Sequence, residues 1–126
     1  MTILNFAHPL TPPQQTQIEA ITSQPIHQLI DIPVAVDETQ PLAPQVNRLI
    51  HTLDLTPHDW QSLPILINPP SYAPVTACVL AELHGRMGHF PAFIRIRPVA
   101  DSLPRLYEVA EVVNLQAVRE QARGKR

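Results

Sequence analysis

Two short segments hold the side chains best suited to chemistry. They are Asn5-Phe6-Ala7-His8-Pro9 and Asn68-Pro69-Pro70-Ser71-Tyr72-Ala73-Pro74. His8 brings an imidazole, which can donate to a phosphate oxygen or move a proton near neutral pH. Asn5 and Asn68 each bring an amide with donors and an acceptor. Ser71 suits a helix cap or a phosphate contact, and Tyr72 suits stacking on a base or packing on the surface. Pro69 and Pro70 fix the shape of their loop and lower the cost of ordering it on a ligand. Phe6 alternates with Asn5, so the two point to opposite faces of a strand. It reads first as core and second as a stacking platform.

The second segment runs straight into the apolar stretch from Ala73 to Met87, which reads as a buried helix. A helix start carries unpaired N–H groups and a partial positive charge, so this loop is a candidate anion site. Arg95 and Arg97 share one face of a later strand. They either reach an anion held between the loops or pair with Glu108 or Glu111 across the sheet. The run His84-Gly85-Arg86-Met87-Gly88-His89 resembles a site in one dimension only. It joins a helix end to a strand start, on the rim opposite the two loops, where basic residues favour the helix dipole. Two histidines lack the further ligand a zinc site needs, so no metal is expected. Cys78 is the single cysteine. It reads as buried and inert, and it excludes a disulfide framework. Asp31, Asp37 and Glu38 are too scattered for a catalytic carboxylate pair.

The elements that position these groups are punctuated by proline. The 126 residues include 15 prolines and three glycines. Proline ends helices and is excluded from central strand positions. The proline-free stretches 14–24, 45–56, 75–90 and 105–126 therefore mark where long helices fit. Thr11-Pro12-Pro13-Gln14 carries a capping box with proline at the first helical position. The helix it opens turns Ile18 and Ile21 inward. Val46, Leu49, Ile50 and Leu53 give a second helix its buried face. Thr56 to Trp60 reads as a capped single turn, and Asn114 as the cap of a terminal helix that buries Leu115 and Val118. Strands are expected over 3–6, 26–36, 63–67, 90–97 and 106–113, the second at an edge because of Pro33.

This alternation predicts one α/β domain over residues 1–126, with a mostly parallel five-stranded sheet, helices on both faces and strand order 2-1-3-4-5. The fifth strand follows too closely for a helical crossover and is open to an antiparallel pairing. The crevice lies where the order reverses, at the carboxyl ends of strands one and three. That rule selects the same two loops independently of any motif. Composition narrows the classes further. A 44% hydrophobic content excludes a disordered proline-rich linker. Three glycines, Gly85 and Gly88 in one turn and Gly124 in the tail, allow no Walker or dinucleotide loop. A net charge of −2 gives no footprint for duplex DNA. No apolar run is long enough for a membrane span, and Met1-Thr2-Ile3-Leu4 opens without a basic leader. The expected setting is cytoplasmic.

Several segments together resemble a family. They are Leu4-Asn5-Phe6-Ala7-His8-Pro9-Leu10-Thr11, Asn68 to Pro74, Leu83-His84-Gly85-Arg86, Gly88-His89-Phe90-Pro91 and Arg95-Ile96-Arg97-Pro98. Across nearly the whole chain they are similar to a small CRISPR-associated accessory family of type III systems. Its members look like minimal relatives of CARF domains. The resemblance implies a Rossmann-like three-layer sandwich, a homodimer, and a cyclic oligoadenylate bound across the two-fold axis. It points to cyclic tetra-adenylate, to antiviral signalling and to ligand-linked higher assemblies, with no cofactor. By the same resemblance Asn5, Phe6, His8, Asn68, Pro69, Ser71 and Tyr72 line the site, with Arg95 or Arg97 at its rim. Two activities follow from it. One is sequestration of the messenger. The other is metal-independent ring cleavage, in which a ribose 2′-OH attacks the adjacent phosphate, His8 handles the proton and an arginine stabilises charge. Cleavage would leave 2′,3′-cyclic phosphate ends. One acid–base residue, rather than a pair, favours sequestration.

Overall fold

Threonine caps and prolines start two of the helices. The Thr11 hydroxyl accepts from the Gln14 N–H at 3.3 Å, and the Gln14 carboxamide oxygen accepts from the Thr11 N–H at 2.9 Å. Thr56 and Asp59 repeat this reciprocal pairing one helix before the third strand. Such pairs satisfy donors that the helix itself leaves open. The computed structural model describes residues 1–126. In chain order the elements are β1 (Thr2–Asn5), α1 (Pro12–Thr22), β2 (Gln28–Asp31), α2 (Leu42–His51), α3 (Pro57–Ser62) and β3 (Ile65–Asn68). Then come α4 (Ala73–Met87), β4 (Ala92–Pro98), β5 (Tyr107–Asn114) and α5 (Leu115–Arg123).

The fold is α/β with one five-stranded sheet in the order β2-β1-β3-β4-β5. That is the order read from the sequence. The sheet is mixed, which corrects the mostly parallel sheet expected. β1 runs parallel to β2 and β3, and β3 to β4, but β4 and β5 are antiparallel. The cause is the connection over 99–106, which is too short for the helix a parallel return requires.

β1 and β3 are buried on both faces, which explains the consecutive apolar pairs Ile3-Leu4 and Leu66-Ile67 at their centres. Alternation sends Leu4 and Ile67 to one face and Ile3 and Leu66 to the other. Leu4 and Ile67 pack with Val46 and Ile50 of α2, Trp60 of α3, and Val75, Val79 and Leu83 of α4. Ile3 and Leu66 pack with Ile18 of α1, Ile94 of β4 and Val109 of β5. α4 ends where Gly88 takes φ +83° and returns its N–H to the His84 carbonyl at 2.8 Å. That left-handed geometry suits glycine.

Three expectations are corrected. β2 spans only Gln28–Asp31, because β1 offers no partner beyond Asn5. The Ile32 N–H makes the last bond to it, at 2.8 Å to the Asn5 carbonyl, and Pro33 has no N–H to continue. Ile21 is 47% exposed, since the end of α1 overhangs an open groove with Met1, Leu66 and Val112. Val118 is 54% exposed, because α5 buries no residue against the sheet.

Candidate functional site at the carboxyl rim of the sheet

The parallel register sets Asp31, Asn5 and Asn68 side by side at the carboxyl ends of β2, β1 and β3. Asn5 is 1% exposed, and its amide is spent inside the chain. Nδ2 donates to Asp31 Oδ1 at 2.8 Å and to the His8 carbonyl at 3.0 Å. Oδ1 accepts from the Ala7 N–H at 3.1 Å and from Asn68 Nδ2 at 2.9 Å. Two donors and two lone pairs are thereby matched. Asn5 therefore folds the Ala7-His8 turn onto the strand ends, and it does not present its amide to solvent.

Asn68 differs. It is 5% exposed and gives one Nδ2 hydrogen to Asn5. Its Oδ1 accepts no hydrogen bond from the chain, and it is not sealed from solvent. It lines a cavity of about 570 Å³ between the start of α1, the end of β4 and the start of β5. The walls of this cavity include His8, Thr11, Gln14, Asn68, Ile96 and Tyr107, with no carboxylate, lysine or arginine among its lining residues.

A second cavity, of about 330 Å³, opens on the other side of the same turn. Phe6, His8, Ile32, Ser71, Tyr72 and Val75 contribute to it. Phe6 is 4% exposed and belongs to the core beneath, so it forms part of the wall of this cavity while packing inward. His8 lines both cavities. Its exposed imidazole has no hydrogen-bond partner in the chain and bridges the two openings.

The helix starts facing these cavities are chemically opposite. In α1, Pro12 and Pro13 have no N–H, and the Gln14 and Gln15 N–H groups are taken by Thr11. That end offers no donor. In α4 the cap is Tyr72, with no side-chain hydrogen bond, so Ser71 is not the N-cap its type suggested. The Thr76 N–H returns to the Tyr72 carbonyl at 3.0 Å, while the N–H groups of Ala73 and Val75 bond to nothing in the chain. Ser71 is exposed, as is Tyr72 at 44%. Pro70 is buried, and its carbonyl accepts from the Thr76 hydroxyl at 2.8 Å. Pro69 is half-buried behind it and lines neither cavity.

Arg95 and Arg97 line neither cavity. Arg95 pairs with Glu111 at 2.7 Å and Arg97 with Glu108 at 3.4 Å, across the β4–β5 ladder. Alternation places Ile96 on the cavity side and the two arginines on the other face. His84, Arg86 and His89 lie away from the rim. The His84 ring packs on Phe90 at 4.4 Å, and Arg86 pairs with Glu82 at 3.2 Å and lies 5.8 Å from the Trp60 ring. No three His, Cys, Asp or Glu side chains are grouped to hold a metal ion. No helix is long and apolar enough to cross a membrane.

The sequence reading missed Thr11, Gln14, Ile96 and Tyr107 as walls of the larger cavity. Thr11 and Gln14 were visible only as a cap. Tyr107 reaches the rim through the pairing of β5 with Pro98, which no local pattern announces. No family model matches the chain, and no curated protein or solved structure matches it.

Proposed function

We propose that this chain binds a cyclic oligoadenylate, cyclic tetra-adenylate in particular, and sequesters it within type III CRISPR antiviral signalling. The observation that carries the reading is the start of α4. It offers an open N–H donor, that of the exposed Ala73, at the point where strand order reverses, beside Ser71, Tyr72 and His8. Backbone donors and a helix dipole suit a phosphate, and an exposed aromatic ring suits a base. The motif resemblance adds the cyclic messenger and a minimal CARF-like, Rossmann-like three-layer fold. A ring with internal two-fold symmetry suits a homodimer in which each subunit supplies the same loops.

Sequestration is favoured over cleavage by what lines the two cavities. His8 is the one imidazole there, and no carboxylate, lysine or arginine lines either cavity. Fast in-line cleavage needs a proton acceptor, a proton donor and a group to stabilise developing charge. The test is a single-turnover incubation of radiolabelled cyclic tetra-adenylate with the full chain in EDTA. The expected result is saturable binding and recovery of the intact ring. Linear products with 2′,3′-cyclic phosphate ends would make the chain a ring nuclease, and His8→Ala should then slow cleavage far more than binding. Absence of binding to any cyclic oligoadenylate would overturn the reading.

A further inference from the structure

We infer that the uncovered face of the β4–β5 ribbon pairs two copies of this chain, about a two-fold axis that runs along the strands.

The sheet lacks a layer on this face. The three crossovers between parallel strands each lay helix on the sheet, and α2, α3 and α4 cover the face that holds Leu4 and Ile67. The connection from β4 to β5 carries no helix, and the core on that side reaches Phe93 but no further along β4. Beyond it the side chains of Arg95, Glu111 and Arg97 are 48%, 50% and 54% exposed, and Glu108 is half-buried. The other face of the ribbon is closed, with Ile94 and Val109 packed against Ile18 of α1. The outer edge of β5 is obstructed as well, because Gln14 and Gln17 hold the Tyr107 carbonyl and the Val109 N–H. The face beyond Phe93 is what the ribbon leaves open.

Its charge pattern selects the occupant. The antiparallel register aligns three rungs, Phe93 with Val113, Arg95 with Glu111 and Arg97 with Glu108. Cations therefore line β4 and carboxylates line β5. A nucleic acid or another polyanion would meet a carboxylate beside every arginine, and a segment of either single charge would meet one repulsive column. A second copy carries both columns. A two-fold axis parallel to the strands, midway between β4 and β5, lays β4 over the partner's β5 and keeps each rung at its level. Arg95 then faces the partner's Glu111, Arg97 the partner's Glu108, and Phe93 the partner's Val113. A two-fold axis across the strands would instead set arginine over arginine, which fixes the direction of the axis. Stacked sheets keep their strands within about 30° of each other. The charged rungs stand only about 7 Å apart, so that rotation does not separate the pairs.

The ion pairs keep hydrogen-bonding capacity for a partner. Glu111 takes both Arg95 bonds on Oε2, and Arg97 gives one bond, from Nε to Glu108 Oε1. Glu111 Oε1, Glu108 Oε2 and both Nη groups of Arg97 bond to nothing in the chain. The same axis sets both carboxyl rims at one end of the pair, as a ring shared by two subunits needs. The pairing itself is read from the sheet and stands without a nucleotide.

The test is sedimentation velocity of the full chain without nucleotide, at about 0.05 and 0.5 M sodium chloride. The expected result is a dimer whose dissociation constant rises at least about tenfold at the higher salt. Arg95→Glu with Arg97→Glu, and separately Glu108→Arg with Glu111→Arg, should each give monomers. Mixed in equal amounts, the two variants should form a one-to-one heterodimer, because an all-acidic ribbon then meets an all-basic one. Glu108→Gln with Glu111→Gln removes the attraction without adding repulsion inside the ladder. It should weaken the dimer about tenfold or more, with circular dichroism showing the same fold. A wild-type chain that stays monomeric at about 0.1 mM in low salt would overturn the inference. So would a dimer that the glutamine variant leaves unchanged, or folded charge-reversed chains that fail to associate when mixed. The outcomes are separable from those of the messenger reading. Dimerisation without binding of cyclic tetra-adenylate keeps the ribbon interface and removes the messenger. Ring binding by a monomer, or by a dimer indifferent to these substitutions, does the reverse.

Discussion

The carboxamides of Asn5 and Asn68 are joined by one hydrogen bond of 2.9 Å across the β1–β3 register, and that bond decides which end of Asn68 meets the cavity. Asn5 is thus the fastener of the rim. Asn5→Leu would leave the Ala7 N–H and the His8 carbonyl without their partner at a part-buried turn, and Asn68 Nδ2 without its partner in a buried one. A loss of about 3 kcal/mol is expected from such unpaired groups, measured by urea denaturation. Asn5→Asp keeps the volume and both acceptors but replaces the donor. It should also destabilise, because a carboxylate would then face Asp31 and the His8 carbonyl.

Two glutamines of α1 cover the open edge of β5. Gln14 Nε2 donates to the Tyr107 carbonyl at 3.2 Å, and Gln17 Oε1 accepts from the Val109 N–H at 2.8 Å. They occupy backbone groups that an edge strand otherwise offers to another chain. The pair Gln14→Ala and Gln17→Ala together should lower stability by about 2 kcal/mol and promote self-association through β5. Sedimentation at rising concentration measures the second effect. Unchanged sedimentation would mean that the edge is protected by other means.

Much of this architecture is legible in the sequence because its signals are local. Thr11 with Gln14 and Thr56 with Asp59 are spaced at i and i+3, so the reciprocal caps can be written down before any fold is known. Pro33 marks an edge strand for a similarly local reason. The strand order follows from the alternation of elements and the handedness of crossovers. The site is less legible because it is made by register. Asp31, Asn5 and Asn68 are far apart in the chain and meet only through parallel pairing. Asn5 and Asn68 are the same residue type, one spent on its neighbours and one open, and no local pattern distinguishes them. Ile21 and Val118 follow the helical period, yet periodicity cannot tell whether the facing layer extends far enough to cover them.

The acid limb of stability should carry the signature of two aspartates, one in the capping box of α3 and one in the turn before α2. Asp59 titrates below the ordinary value of 3.8, chiefly through the hydrogen bond from the Thr56 backbone N–H and then the Thr56 hydroxyl. Asp37 is likewise lowered, by the Thr39 hydroxyl and then its N–H. A depressed folded pKa means that the unfolded chain binds more protons in between. The stabilisation is present above the unfolded pKa and lost as pH falls through the folded one. Asp37→Asn with Asp59→Asn should therefore flatten the fall of Tm between about pH 5 and pH 2. An unaltered slope would assign acid sensitivity to other carboxylates.

Gly85 and Gly88 share the end of α4 but should respond oppositely to alanine. A Cβ at either position meets no atom within 4 Å, so packing does not separate them. Gly88 has φ +83°, while Gly85 lies within the helix. Gly88→Ala should cost about 1 kcal/mol through left-handed strain, and Gly85→Ala should stabilise by about 0.5–1 kcal/mol by reducing unfolded-state freedom. Thermal denaturation of the two variants checks both signs.

The start of α4 can be tested without altering any charge. Ala73→Pro removes the exposed N–H donor at this helix start. Proline is well tolerated in the first helical turn, where its N–H is not part of the ladder. The preceding residue must then be extended, and Tyr72 already is, with φ −92° and ψ 112°. The variant should therefore fold with unchanged or slightly higher Tm. A hydrogen bond to a charged oxygen contributes about 1.5–3 kcal/mol, so affinity for cyclic tetra-adenylate should fall by about ten- to a hundredfold. Isothermal titration of the folded variant reads the affinity. Undiminished affinity for the ring would move the phosphate site away from α4.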